Sequence, residues 1–269
     1  MNFAKNTNQK LFKTKYKLML ILVIIGCFML LSVTISNSLL VKTTLHKNTS
    51  ENTQDAVKTY SQKVSDFFKA RTGELELYSS LPVVKTLDWN KIEPFLKEQY
   101  DLKQGYYDIF FVAKENGDYD TVKKRNAGNL KDRAYWPDVM SGKTVVSEPL
   151  ISKSTGSLVS VIIAPIKDDS GKVIGAVAGN LNLENFYDEI KNLKVANKDS
   201  YSYMVNKDGL IISHPNKKYI LNENISEKSE NISENIVNAS KTILSNNDGN
   251  CSYTDGKKSV SLLFYCSGY

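Results

Sequence analysis

The sequence has little of the chemistry from which metal sites and hydrolytic active sites are most often built. Its 269 residues include two histidines and three cysteines, and a histidine-based metal site is therefore not expected. The motifs H-E-x-x-H, G-x-S-x-G and G-x-G-x-x-G and the phosphate-binding loop are all absent from the chain. We therefore expect neither an enzyme activity nor a cofactor.

Acidic residues are missing from the first 17 positions, where five lysines supply every charge. The whole chain has 35 basic and 29 acidic residues, which gives a net charge of +6. Without those five lysines the balance is 30 basic to 29 acidic residues, so the rest of the chain is nearly neutral. Nucleic-acid binding requires a basic face, and we expect no nucleic-acid partner.

Charges of both signs are missing from the apolar run that follows. Residues 18–36 hold no charged side chain and twelve Leu, Ile, Val or Phe residues, enough to cross a bilayer as a helix. We predict a transmembrane helix at 18–40, and the lysines before it place residues 1–17 in the cytoplasm. A buried core helix and a cleaved signal peptide are the alternatives, although the run is longer than a signal peptide's apolar region.

Helical spacing continues beyond the predicted span. Apolar residues recur at gaps of three and four between Val57 and Tyr78, and Pro82 interrupts the pattern. We predict a long stalk helix over 41–81 that also pairs with a second copy of the chain. The region after the span would then lie outside the cytoplasm, with the protein in the cell membrane.

Beyond Pro82 the apolar pattern changes from helical to alternating. A helix is predicted at 89–100, and the strands of a first module (82–196) are predicted at 107–113, 144–146, 158–165 and 173–183, with a helix at 183–193. A second module (197–269) has predicted strands at 201–205 and 210–213, a helix at 222–244 and a hairpin over 251–265. The fold class predicted is α+β with antiparallel sheets. Because the chain stops directly after a strand, we expect this second module to be incomplete.

Several motifs then resemble one family. The runs 132–136 (DRAYW), 152–156 (SKSTG) and 175–183 (GAVAGNLNL) are similar to the membrane-distal module of double Cache sensor domains, and 208–215 (DGLIISHP) to the start of the proximal module. Such domains occur in bacterial methyl-accepting chemotaxis proteins and related transmembrane receptors. The resemblance implies PAS-like antiparallel sheets docked on a long helix, and a ligand-binding role outside the cytoplasm.

The resemblance also implies a ligand site. Relatives that bind amino acids carry Tyr-x4-Arg-x-Trp-Tyr and a later Asp. Here Arg133 matches the Arg, Tyr135 and Trp136 occupy the next aromatic positions in swapped order, Gly128 stands in place of the first Tyr, and Asn180 stands in place of the Asp. The implied ligand is a small carboxylate, an amino acid or another polar solute.

The predicted site residues have chemistry suited to such a ligand. The guanidinium of Arg133 can hold a carboxylate in two parallel hydrogen bonds. The alternative is a surface arginine that pairs with Asp132 or Asp138, with Tyr135 and Trp136 both in the core. Asn180 can donate and accept hydrogen bonds but carries no charge. The alternative interpretation of Asn180 is a polar residue at a strand edge whose hydrogen bonds are satisfied within the protein.

Two further residues belong to the predicted site. Tyr107 and Asp108 lie next to each other on the first predicted strand, and we expect both to line the pocket. The predicted function is small-molecule sensing by a membrane-anchored chemoreceptor, with lipid and a second copy as further partners. The sensor portion of a histidine kinase or diguanylate cyclase, and an anchored extracellular enzyme or adhesion module, are the alternatives.

Overall fold

Helices lead into antiparallel strands along the chain. The computed structural model describes residues 2–103, 105–183, 201–246, 248–255 and 258–265. Two compact units are present, Met1–Asn52 and Thr53–Tyr269. The described residues of the first unit belong to helix α1 (Asn2–Ser80).

The membrane span predicted at 18–40 lies within helix α1. Among the described residues, no helix combines the length and the apolar character that are needed to cross a membrane.

Three helices precede the sheet of the second unit. Helix α1 ends at Ser80, and α2 (Pro82–Lys85) follows with its proline at a helix start, where a missing N–H is tolerated. Helix α3 (Trp89–Leu102) is capped by Asp88, whose side chain accepts a hydrogen bond from the backbone N–H of Asn90. The helix predicted at 89–100 is thereby confirmed.

One antiparallel sheet, whose strands differ in length, forms the centre of this unit. Its strands are β1 (Tyr107–Lys114), β2 (Asp118–Thr121), β3 (Lys124–Asn129), β4 (Val145–Val146), β5 (Leu150–Ile151), β6 (Leu158–Lys167) and β7 (Val173–Asn182). Their order is β3-β2-β1-β7-β6-β4, and β5 also pairs with β6. The α4 helix (Trp136–Met140) lies between β3 and β4 in the chain. The strands predicted for the first module are confirmed, whereas the polar hairpin β2–β3 and the short strand β5 were not predicted.

The two faces of this sheet bury different cores, since side chains alternate along each strand. On the helix face, Phe110 and Val177 pack with Leu75 of α1 and Ile92 of α3. On the opposite face, which we call the α4 face, the buried side chains of Ile109, Phe111 and Ala178 pack with Trp136 and Val139 of α4. Any ligand site built from α4 and the sheet must therefore lie on the α4 face.

A β-bulge interrupts the alternation at the start of β1. Tyr107 pairs with Leu181 and Ile109 pairs with Asn180, so that Asp108 is an extra residue between two consecutive pairs. Such a bulge redirects side chains locally. It decides to which face Tyr107 and Asp108 belong.

The C-terminal part forms shorter elements around a small core of Ile211, Ile225 and Ile232. Its elements are β8 (Met204–Val205), β9 (Ile211–Ser213), α5 (Glu234–Ser245), β10 (Asp248–Asp255) and β11 (Lys258–Tyr265). In the described residues, β8–β9 and β10–β11 are separate two-stranded sheets rather than one PAS-like sheet. The helix predicted at 183–193 falls, apart from its first residue, outside the described residues.

The helix predicted at 222–244 is wrong in its first half. Helix α5 begins at Glu234, and the segment before it forms turns. The Ser229 hydroxyl accepts hydrogen bonds from the backbone N–H groups of Asn231 and Ile232, each 3.1 Å long. Side-chain bonds of this kind compete with helix formation, which explains why apolar spacing alone misled the prediction.

Candidate functional site

Arg133 lies in the turn that connects β3 to α4. Its backbone N–H donates to the Leu130 carbonyl at 2.9 Å, and its carbonyl accepts from the Trp136 N–H at 3.0 Å. These two bonds fix the backbone from which the half-buried guanidinium extends. The side-chain Nε is buried and has no hydrogen-bond partner among the described residues.

The carboxylates that could neutralise Arg133 are paired with lysines. Asp132 binds Lys153 at 2.7 Å, and Asp138 binds Lys143 at 2.9 Å. The bond to Lys153, with a smaller contribution from Arg133, lowers the pKa of the Asp132 carboxyl. Within the part of the chain that the structure describes, Arg133 makes no ion pair. Of the alternative interpretation, the pairing of Arg133 with Asp132 or Asp138 is not observed among the described residues, whereas Trp136 does lie in the core.

The two aromatic residues after Arg133 face the same core. Trp136 is buried and packs with Val139 in the cluster of the α4 face, against which the half-buried Tyr135 also packs. Burial raises the pKa of the Tyr135 phenol to about 12, while the positive charge of Arg133 acts in the opposite direction. Tyr135 is therefore a neutral phenol at physiological pH.

Asn180 contributes a buried amide from β7. Its Nδ2 donates to the Ser152 hydroxyl at 3.2 Å. Its Oδ1 is buried and finds no hydrogen-bond partner among the described residues. Buried polar atoms without partners are uncommon, since each costs about 1–3 kcal/mol. The oxygen is therefore a candidate acceptor for a ligand.

A short segment between β5 and β6, residues 152–156, connects the site residues; we call it the strap. Ser152 also accepts from the backbone N–H groups of Ser154 and Thr155, which closes a tight turn. Four successive side chains of the strap then contact four different elements: Ser152 with Asn180, Lys153 with Asp132, Ser154 with Tyr119 and Thr155 with Asp108. The strap thus brings Asn180, Asp108 and the Arg133 turn into one group.

Sequence reasoning missed the roles of the strap and of Tyr119. Tyr119 pairs directly with Gly128 across β2 and β3. A Cβ atom on Gly128 would lie 3.2 Å from Tyr119 Cε1, so the tyrosine ring covers the position that the resemblance assigns to the first tyrosine of the motif. The exchange of a tyrosine for glycine in the motif was the available clue, because an aromatic residue often covers a cross-strand glycine.

Tyr107 is not brought into this group. Its ring packs on Phe110 on the helix face, with ring centroids 4.2 Å apart, and its hydroxyl donates to Glu74 Oε2 at 3.2 Å. The neighbouring Asp108 instead accepts a hydrogen bond from the Thr155 hydroxyl of the strap. The expectation that both residues line one pocket is corrected for Tyr107, because neighbouring residues of a strand point to opposite faces and the bulge leaves Tyr107 on the helix face.

The described residues contain no group of three or more His, Cys, Asp or Glu side chains that could hold a metal ion. Among them Cys251 is a free thiol. Cys266, the cysteine nearest to it in the sequence, lies outside the described residues.

An α+β domain built around one antiparallel sheet is the class that this fold defines. A sequence profile of the Cache domain (dCache_1) matches residues 34–267. The chain belongs to the Cache domain family.

Curated relatives include receptors and a kinase. The methyl-accepting chemotaxis protein McpB of Bacillus subtilis (strain 168) is 28% identical over 133 residues, which are 48% of this chain and 19% of McpB. Sporulation kinase D of the same organism is 26% identical over 136 residues, which are 49% of this chain and 26% of the kinase. The alignments thus span about a fifth to a quarter of the length of these relatives.

Solved structures share the fold. The ligand-binding domain of the Pseudomonas fluorescens chemoreceptor CtaA, in complex with L-isoleucine, superimposes with a TM-score of 0.60 at 14% identity. The match covers 81% of this chain and 85% of that domain. At this identity the likeness establishes the fold alone.

Proposed function

We propose that this chain is the sensing portion of a membrane-anchored bacterial chemoreceptor. A small carboxylate or other polar solute would bind on the α4 face, held by Arg133, Tyr135, Trp136, Asn180 and Asp108. One observation carries the proposal: Arg133 Nε and Asn180 Oδ1 are both buried and both lack a hydrogen-bond partner among the described residues. One atom is a donor and the other an acceptor, which is the pair that a ligand with both functions would satisfy.

The charges of the site support a carboxylate on the ligand. The guanidinium of Arg133 can donate to such a group, and each charge-assisted bond contributes about 1.5–3 kcal/mol. Asn180 Oδ1 is suited to a hydroxyl, amide or amine donor. Because Asn180 is uncharged, it stabilises an ammonium group less than an aspartate would. CtaA was solved in complex with L-isoleucine, and for an amino acid in this chain the carboxylate of Asp108 would have to supply the negative charge that Asn180 lacks.

Membrane anchoring is part of the proposal. It is supported by the apolar run at 18–36 and by large apolar side chains that are exposed along α1, such as Phe28 at 74% and Leu30 at 70%. In this arrangement 1–17 are cytoplasmic, 18–40 span the membrane and 41–81 form a stalk that pairs with a second copy. The distal module (82–196) and the proximal module (197–269) would lie outside the cytoplasm.

The output is proposed to be chemotaxis, by analogy with McpB. Sporulation kinase D supports a histidine-kinase output as the second candidate, and a diguanylate cyclase is a third form of the same sensor. In each case the chain itself would bind a ligand rather than catalyse a reaction. Ligand binding would shift the balance between two arrangements of α1.

The test is a thermal-unfolding screen of the purified full chain against carboxylates, amino acids, amines and nucleobases. A ligand at 100 times its dissociation constant stabilises the folded state by about 2.7 kcal/mol. Arg133→Ala should abolish this gain. The matched control is Arg125→Ala, because Arg125 is exposed and pairs with Glu93 at 3.1 Å outside the site.

Two results would contradict the proposal. One is a folded chain that no compound in the panel stabilises. The other is a stabilising compound whose effect survives Arg133→Ala. An anchored enzyme or adhesion module would give the first result.

A further inference from the structure

A partly buried carboxylate on the helix face joins α1 to the sheet. The Glu74 side chain is 11% exposed. It receives four partners from three elements: Arg71 Nη1 at 2.7 Å and the Tyr78 hydroxyl at 2.6 Å from α1, Lys103 Nζ from the end of α3, and the Tyr107 hydroxyl at 3.2 Å from β1. Both oxygens of the carboxylate are thereby engaged.

The two phenols in this cluster act as donors. Burial, together with the negative charge of Glu74, raises the pKa of both Tyr78 and Tyr107. Each hydroxyl therefore keeps its proton at physiological pH. Lys103 Nζ also donates to the Tyr78 hydroxyl at 2.8 Å, and that hydroxyl lies 2.9 Å from Gln99 Oε1, so the network around the carboxylate extends further into α3. Removal of a single partner from such a network is costly, since the remaining buried charges lose their compensation.

Two short backbone segments connect this network to the α4 face. In β1, Tyr107 binds Glu74 on the helix face while the next residue, Asp108, binds the strap on the α4 face. In β7, a Cβ atom on Gly179 would lie 2.5 Å from Tyr107 Cε1, while the next residue, Asn180, binds Ser152 of the strap. Each segment thus has one residue on each face.

We propose that Glu74 couples the strap and the site beneath it to α1, through Tyr107 and the bulge at Asp108. A change in the hydrogen bonds of Asp108 or Asn180 moves backbone that also positions the Tyr107 hydroxyl. The geometry of the Glu74 network then sets the position of α1 relative to the sheet. The signalling role of this coupling rests on the proposed function, whereas the coupling itself is a property of the folded chain.

Coupling between two sites is reciprocal, which provides a test without any ligand. Amide hydrogen exchange of the full chain is measured for wild type and Glu74→Gln. The reporters are two strap amides on the opposite face, Ser152 N–H, which binds the Ser157 carbonyl, and Gly156 N–H, which binds the Ser152 carbonyl. Glu74→Gln should accelerate their exchange by about fivefold or more, with the centre of β6 unchanged. Glu93→Gln, which removes an exposed carboxylate paired with Arg125, should leave the strap at its wild-type rate.

Two further variants complete the design. Tyr107→Phe removes one hydroxyl of the network and should accelerate exchange of the same strap amides by a smaller factor. If Glu74→Gln does not fold, the exchange rates of Tyr107→Phe test the coupling. Thr155→Val removes the hydrogen bond from the strap to Asp108 on the α4 face. It should accelerate exchange of the amides of α1 between Arg71 and Tyr78.

Wild-type strap rates in the folded variants would overturn the inference, as would a uniform acceleration across β6 and β7, which signals lost global stability. Because no ligand is present, a failed ligand screen leaves this result unaffected.

Discussion

The ammonium group of Lys153 lies 2.7 Å from the carboxylate of Asp132, and the guanidinium of the adjacent Arg133 makes no ion pair among the described residues. Both members of the pair are exposed, at 52% and 66% of the side chain, so the pair contributes little to stability. The pair matters instead for the charge around Arg133. Lys153 of the strap engages the carboxylate of Asp132, which is adjacent to Arg133 in the chain. Under the proposed function, this arrangement would leave the Arg133 cation available to a ligand.

Replacement of this lysine should weaken ligand binding. In Lys153→Met the Asp132 carboxylate loses its partner and competes with the ligand for Arg133, and we expect the dissociation constant of a carboxylate ligand to rise about 3- to 10-fold. Isothermal titration calorimetry with the carboxylate that gives the largest thermal shift measures this effect.

Two control variants sharpen that prediction. Lys143→Met frees Asp138, which lies in the first turn of α4, in the same way and should change the affinity less. Adding Asp132→Asn to Lys153→Met removes the competitor and should restore the affinity. An unchanged dissociation constant in Lys153→Met would show that Asp132 does not compete for Arg133.

Two glycines of the second unit should respond to alanine in opposite directions. A Cβ atom on Gly179 would meet Tyr107 Cε1 at 2.5 Å and Phe110 Cε1 at 3.0 Å, so Gly179→Ala should destabilise the fold by about 1–3 kcal/mol. Gly73 lies inside α1, and a Cβ atom added there would meet no atom within 4 Å, so Gly73→Ala should stabilise by about 0.5–1 kcal/mol.

Urea unfolding followed by circular dichroism measures both glycine variants. Since Phe110 and Tyr107 belong to the core of the helix face, the cost at Gly179 should fall when Tyr107 is also replaced by alanine. Equal stabilities for the two single variants would mean that the Tyr107 ring moves aside at no cost.

The raised pKa of Tyr135 predicts a loss of stability at alkaline pH. The folded value is about 12 because the phenol is largely buried, whereas an unfolded tyrosine ionises near pH 10. The contribution is therefore fully present below about pH 10 and is lost as pH rises from about 10 towards 12.

The difference in absorbance at 295 nm between wild type and Tyr135→Phe isolates this one phenol, with an expected midpoint near pH 12. Tyr135→Phe should also lose stability less steeply over that interval. A midpoint near 10 would indicate that the Tyr135 ring is solvated.

Local pattern was sufficient for the strands that are apolar along their whole length. β6 has nine buried residues in succession, and β1 and β7 are nearly as buried, so each was predicted from its apolar run. The β2–β3 hairpin has few buried side chains and many polar ones, and no local pattern separates it from a loop. The turns at 222–233 were missed for a related reason, because hydrogen bonds from Ser229 outweighed a weak apolar spacing.

The sequence by itself determined the chemistry of the site: a guanidinium, two aromatic rings and an amide in a recognisable spacing. The tertiary structure decided which residues act together. Asn180 meets Ser152 across 28 positions and Asp108 meets Thr155 across 47, and no local spacing encodes contacts at such separations. The bulge at Asp108 decided that Tyr107 lies on the helix face, next to Glu74, rather than on the α4 face. A register shift of one residue moves a side chain to the other side of a sheet, and that shift arises only when β1 pairs with β7.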